Sequence, residues 1–247
     1  SATFSATENQ TSIGEVTATD EEGDDLTYSV SGSEILISSS GVLTFVSTPD
    51  YETKTTYTTT VTVSDGELDD TQEVTITVVN VNDNSPVISS GSGFSVDENV
   101  VSIGNITATD LDGDALIYSV SGSELEISNT GALTFADSNG ADFETQSSYT
   151  AIVTVTDGIF NADQSISVTV QDTNDNDPVF SSSSTFTPSE NQTIIGSLSA
   201  SDDDANSTLV YSISGGNLED SGITVDSSTG QITKSSDLDY EETAQFT

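Results

Sequence analysis

Between Tyr57 and Val63 apolar side chains alternate with threonine, and the same two-residue period returns at Val74 to Val78, Tyr149 to Val155, Ile166 to Val170 and Leu26 to Val30. A period of two puts every second side chain on one face of an extended strand, so each run predicts a half-buried β-strand. Threonine, which fills the outward positions, is itself a good strand former. Gly, Asn, Asp and Ser stand between the runs and favour turns. No segment keeps a 3.6-residue period. About seven such strands fit into about 90 residues, which predicts an antiparallel β-sandwich.

The pattern is repeated. Thr7-Glu8-Asn9 matches Asp97-Glu98-Asn99 and Ser189-Glu190-Asn191, the glutamates lying 90 and then 92 residues apart. Ala18-Thr19-Asp20 matches Ala108-Thr109-Asp110 and Ala200-Ser201-Asp202. Asp50-Tyr51-Glu52 matches Asp142-Phe143-Glu144 and Asp239-Tyr240-Glu241. Asn80-Val81-Asn82-Asp83-Asn84-Ser85-Pro86 matches Asp172-Thr173-Asn174-Asp175-Asn176-Asp177-Pro178. Self-similarity at such a period predicts an array of like units: repeat 1 over 1–83, repeat 2 over 84–175 and repeat 3 over 176–247. Ser64-Asp65-Gly66 matches Thr156-Asp157-Gly158 without a third copy, so repeat 3 is expected to stop before its last strands. Tyr28/Tyr118/Tyr211 and Phe45/Phe135 recur in register, as core positions should.

Charge narrows the function. There are 42 acidic residues against Lys54 and Lys234, a net charge of −40. That rules against nucleic acid as a partner, since binding its phosphates requires a cationic surface, and speaks against anionic membranes. General acidity, as in a salt-adapted protein, explains part of it, but the acids concentrate at the recurring motifs. Without Cys or His there are no disulfides and little prospect of a transition-metal site. Modules of this kind often need a disulfide or a metal as a staple, which leaves calcium. No run reaches the roughly 18 apolar residues of a membrane-crossing helix, and Ser1-Ala2-Thr3 does not read as a signal peptide. The chain reads as a piece of a longer protein.

The two Pro-ended motifs lie between repeats. Glu8, Asp50, Glu52 and Asp83 gather at the end of repeat 1, with Asp110, Asp112 and Asp157 at the facing end of repeat 2 and Asn82 between. Seven carboxylates at one joint repel strongly unless a cation reverses the sign. Calcium takes six to eight oxygen ligands from such groups.

On these motifs the chain resembles tandem cadherin repeats of the bacterial or otherwise non-classical type, over essentially all of its length. The resemblance implies an all-β fold of seven-stranded Greek-key sandwiches with Ig-like architecture, joined end to end. It also implies about three Ca²⁺ per complete linker. In linker 1 the first two ions would take Glu8, Asp50, Glu52, Asp83 and the Val81 carbonyl; the third would take Asn82, the Asn84 carbonyl, Asp110, Asp112 and Asp157. In linker 2 the counterparts are Glu98, Asp142, Glu144, Asp175 and the Thr173 carbonyl, then Asn174, the Asn176 carbonyl, Asp202 and Asp204. The first linker position, Asn80 or Asp172, is not a central ligand in this reading, and the short loop after Asp110 leaves its carbonyl ligand open. Linker 2 lacks a counterpart of Asp157, so its third site is expected to be weaker or absent. Asp20, Glu22 and Asp65 form one orphan half-site, and Glu190, Asp239 and Glu241 another.

The function implied is a calcium-rigidified extracellular stalk of a cell-surface or secreted adhesin. The alternative is an accessory module that binds polysaccharide, with Tyr57, Tyr149 and Phe160 as the few aromatic candidates. An enzyme is not expected, because the carboxylate pairs are all claimed by the calcium pattern. A second copy of the chain, a cell-surface glycan or a protein remain as partners. Family members that adhere by exchanging an N-terminal strand anchor it with Trp, and this chain has none. Asn9, Asn105, Asn191 and Asn206 head glycosylation sequons.

Overall fold

The computed structural model describes residues 1–215, 222–237 and 239. Glu241, from the expected half-site of repeat 3, lies outside them. Among the described residues every regular element is a strand, and no helix is long and apolar enough to cross a membrane.

Repeat 1 contains β1 (Ala2–Thr7), β2 (Ser12–Glu15), β3 (Thr27–Val30), β4 (Ile35–Ile37), β5 (Val42–Phe45), β6 (Thr56–Ser64) and β7 (Asp69–Val79). They form two sheets, β1-β7-β6-β3 and β2-β5-β4. All neighbours are antiparallel except β1, which runs parallel to β7. Val61, Val74 and Ile76 of one sheet meet Ile35, Leu43 and Phe45 of the other in a single buried core. The outward positions Thr56, Thr58 and Thr60 stay exposed, as the alternation requires. β7 starts at Asp69, five residues before the apolar pattern does. Its backbone pairs with β6 from Ser64↔Asp69 onward, and that pairing does not depend on side-chain polarity.

Repeat 2 repeats this plan with β9 (Gly93–Asp97), β10 (Ser102–Asn105), β12 (Ile117–Val120), β13 (Leu125–Ile127), β14 (Ala132–Phe135), β15 (Ser148–Thr156) and β16 (Asn161–Gln171). Its sheets are β12-β15-β16-β9 and β10-β14-β13. Directly after Pro86, β8 (Val87–Ile88) pairs with β11 (Ala108–Thr109), fastening the linker to the body of repeat 2. Leu133, Val153, Val155 and Val168 are fully buried. Tyr149 meets Phe135 edge-on at 5.1 Å, and Tyr57 meets Phe45 at 4.9 Å, so both tyrosines pack against the core.

Repeat 3 shows the same short sheet, with β18 (Ile194–Ser197), β21 (Gln231–Lys234) and β20 (Ile223–Val225), and the same fastening pair, β17 (Val179–Phe180) with β19 (Ala200–Ser201). The counterparts of β9 and β12, near 185–189 and 209–213, are not strands. Their hydrogen-bond partners would be the counterparts of β16 and β15, which are not among the described residues.

Candidate metal centre at the joints

Each joint is assembled from one repeat's end, the linker and the facing loops of the next repeat. The Glu-Asn turn sets the first ligand. Asn9, Asn99 and Asn191 all adopt φ 60, a left-handed conformation that Asn tolerates better than most residues. The turn carries Glu8 and Glu98 inward to 1% and 3% exposure. Glu8 accepts from the Tyr51 amide at Oε2 and the Val81 amide at Oε1, both at 2.7 Å. Glu98 accepts from the Phe143 amide at 2.8 Å and the Thr173 amide at 2.7 Å. The two joints are therefore built alike. Burial raises the Glu98 carboxyl, but these amide hydrogen bonds outweigh it and hold the group below its ordinary value.

Around Glu8, the oxygens of Glu52 and Asp83 lie within 4.8 Å of it and of one another. The Asn9 side chain donates to Asp83. Burial lifts the Glu52 carboxyl above its ordinary value, and the charges of Glu8 and Asp112 push the same way. Asp50 stands apart from that trio, its carboxylate accepting from the Thr53 amide and hydroxyl at 3.1 and 3.0 Å. Asp142 is held the same way by Thr145.

Across joint 1, Asp112 accepts from the Asp83 amide at 3.0 Å and from Asn84 by two bonds. Burial opposes the charge on Asp112, yet the bonds from Asn84 and Asp83 keep its carboxyl below the ordinary value. Asp157 takes the amides of Ile159 and Phe160 on Oδ1, each at 2.7 Å. Its carboxyl is likewise depressed: burial raises it, and the amides of Phe160 and Ile159 with the Asn82 side chain lower it further. Four oxygens of joint 1 are fully buried with no hydrogen-bond partner: Asn80 Oδ1, Asn82 Oδ1, Asp110 Oδ2 and Asp157 Oδ2.

Joint 2 brings Glu98, Glu144 and Asp172 together, and separately Glu144, Asp175 and Asp204, with oxygens within 4.8 Å in each group. Asp204 is 4% exposed and accepts from the Asn176 amide and side chain. Burial raises the Glu144 carboxyl, helped by the charge of Glu98. Asp202 takes the Asp204 amide at 3.0 Å. Asn174 is exposed.

Two carboxylates join these groups without having been expected there. Asp172 stands beside Glu98 and Glu144, with Oδ1 buried and unpartnered and Oδ2 accepting from the Ala205 amide at 2.8 Å. Asn80, in the same place at joint 1, instead donates to the Asp112 carbonyl at 2.7 Å. Asp114 lies with Asp110 and Asp112. The signals were the acid-for-amide difference at 80/172 and the Gly113-Asp114 pair. Of the two lysines, Lys54 pairs with Glu34 at 2.7 Å over the Tyr57 ring, and Lys234 stands on β21 of repeat 3.

Comparison with known proteins agrees with this architecture. The cadherin domain model matches residues 184–247. Human protocadherin-15 is 31% identical over 192 residues, covering 69% of this chain and 10% of that protein. Chitinase A of Pseudoalteromonas piscicida is 32% identical over 159 residues, 63% of this chain and 19% of that protein. The chain thus spans a small part of the length of the relatives it matches. The crystal structure of mouse cadherin-23 EC22-24 superposes with a TM-score of 0.74 at 26% identity, covering 97% of this chain and 86% of that one. The chain is a tandem of cadherin-like repeats with the all-β cadherin fold.

Proposed function

We propose that this chain is a calcium-rigidified stalk segment of a cell-surface or secreted adhesin, its repeats spanning 1–83, 84–175 and 176–247. At joint 1, Glu8, Asp50, Glu52, Asp83 and the Val81 carbonyl hold two ions. Asn82, Asp110, Asp112, Asp157 and the Asn84 carbonyl hold a third. At joint 2 the corresponding groups are Glu98, Asp142, Glu144, Asp175 and the Thr173 carbonyl, then Asn174, Asp202, Asp204 and the Asn176 carbonyl. Asp172 adds a carboxylate to the first of these sets.

The observation that carries this reading is the set of buried, unpartnered oxygens on Asn80, Asn82, Asp110 and Asp157. A buried acceptor with no donor is costly, and a hard cation is the partner that such oxygens take. What calcium supplies is charge neutralisation between repeats that otherwise repel. Extracellular calcium modules bind at about 10⁻⁴–10⁻³ M. Free calcium at 100 times the dissociation constant adds about 2.7 kcal/mol per site to the bound state. Small-angle scattering tests the reading: an extended rod in calcium, shortened by chelator. An end-to-end length that ignores chelation ends it.

The match to a chitinase favours one second reading, a polysaccharide-binding accessory module of a secreted protein. The edge-on packing of Tyr57 and Tyr149 leaves neither ring free as a flat sugar platform. Reproducible binding of this chain on a glycan array would favour that reading over the stalk.

A further inference from the structure

Asp114 is not among the ligands assigned above, yet its carboxylate lies with those of Asp110 and Asp112, oxygens within 4.8 Å of one another. The backbone puts it there. Gly113 sits at φ +79 with open space around its Cα, a left-handed turn that suits glycine. The turn folds the chain back so that the Asp114 amide faces Asp110 Oδ1 at 3.4 Å. Repeat 1 makes the same loop: Gly23 is at φ +86, and the amides of Gly23 and Asp24 donate to Asp20 Oδ1 at 2.7 and 3.0 Å. Repeat 3 does not. It has Ala205 after Asp204, and its fifth loop residue is the neutral Asn206.

The second observation reaches beyond the cluster, to Asn82 and Asp157. With Oδ1 turned to the loop, Asp110 leaves Oδ2 buried and unpartnered, as are Asn82 Oδ1 and Asp157 Oδ2. Those oxygens need a positive partner, and a third carboxylate beside Asp110 and Asp112 worsens the repulsion unless one is bound.

We propose that Asp114 is a calcium ligand of joint 1, supplying the third ion with a side-chain oxygen where a longer loop would present a backbone carbonyl. The inference rests on the calcium reading of the joints. Affinity in oxygen sites rises with the number of charged ligands. Joint 1 therefore holds its third ion through four carboxylates: Asp110, Asp112, Asp114 and Asp157. Joint 2 has Asn206 where joint 1 has Asp114, so this contribution belongs to joint 1 alone.

The test is hydrogen exchange on the full chain across a calcium series, following segments 80–86 and 172–178 separately, with calorimetry for stoichiometry. Asp114→Asn should raise the calcium midpoint of segment 80–86 about tenfold, or remove one ion from the count, and leave segment 172–178 unchanged. Asp24→Asn, the same substitution at the far end of repeat 1, should move neither segment. An unchanged midpoint and ion count in Asp114→Asn overturn the assignment while the joints stand. Absence of calcium-dependent protection in the parent overturns the joint reading, and this assignment with it.

Discussion

Asn84 donates to both carboxylate oxygens of Asp112, its backbone N–H to Oδ2 at 2.8 Å and its side-chain amide to Oδ1 at 2.9 Å. Asn176 and Asp204 repeat the arrangement at joint 2, at 3.1 and 2.9 Å. One asparagine of the linker thus fixes the leading carboxylate of the next repeat before any cation is involved. A carboxylate oxygen accepts more than one partner, so these bonds orient Asp112 and Asp204 while leaving capacity for an ion.

Asp112→Asn is expected to weaken calcium at joint 1 about tenfold or more, because it removes a charged ligand from a site tuned by charge count. The sandwich core of repeat 2 does not include Asp112, so thermal unfolding in chelator should change little. Calorimetric calcium titration beside a thermal scan separates the two effects.

Exchanging the first linker residues should move the joints in opposite directions. Asp172→Asn takes a carboxylate from the Glu98/Glu144 group and breaks its bond to the Ala205 amide, raising the calcium midpoint of joint 2. Asn80→Asp adds a carboxylate near Glu8 but gives up the bond to the Asp112 carbonyl. It should lower the midpoint of joint 1 and loosen that joint in chelator. Segment-resolved hydrogen exchange reads both midpoints, and shifts of the same sign in the two variants contradict the account.

Gly131→Ala should destabilise repeat 2 by more than about 1 kcal/mol. Gly131 is at φ +83, and a Cβ there would stand 2.1 Å from the Ile106 carbonyl oxygen. The same residue accepts the Ile106 amide at 2.8 Å, so relief of the clash disturbs a bond under the core. Gly158 has φ +98 but open space, so Gly158→Ala carries the dihedral cost alone. Urea unfolding of the two variants should rank Gly131→Ala as the more damaged.

The strands of repeats 1 and 2 were legible because alternation reports which face is buried: Tyr57 to Val63 and Tyr149 to Val155 fall inside β6 and β15. The start of β7 was not, since Asp69 to Glu73 pair through the backbone alone. Nor was the lack of strands near 185–189 and 209–213, because a strand depends on a neighbour that no local pattern reveals. The joint motifs stand out in the sequence by recurrence, and the structure brings the carboxylates of Glu8, Glu52 and Asp83 together. The parts of Asp172 and Asp114 were hidden. The first depends on the linker's path past Glu98 and the second on a single left-handed glycine, backbone directions that the acid at 172 and the Gly113-Asp114 pair signal only in part.

Acid should release calcium through Glu52 and Glu144 first. Burial raises both carboxyls above the ordinary 4.5, and neighbouring charges add to it. A group whose folded pKa is raised stabilises the ion-free fold below its unfolded pKa and loses that contribution as pH rises through the folded value. In chelator these two glutamates therefore favour the closed joint in mild acid and oppose it at neutral pH. Calcium binds the ionised form, so its affinity should fall as pH drops toward 4.5. Asp112 and Asp157 behave oppositely: their carboxyls lie below the ordinary 3.8, and their contribution to the folded joint persists until pH falls through those lower values. Calcium titrations between neutral pH and pH 4.5 should show a steady loss of affinity with the sandwiches still folded. In Glu52→Gln, calcium binding at joint 1 should be weaker throughout and its pH dependence above 4.5 flattened. An undiminished slope in that variant would show that the proton competing with calcium sits elsewhere.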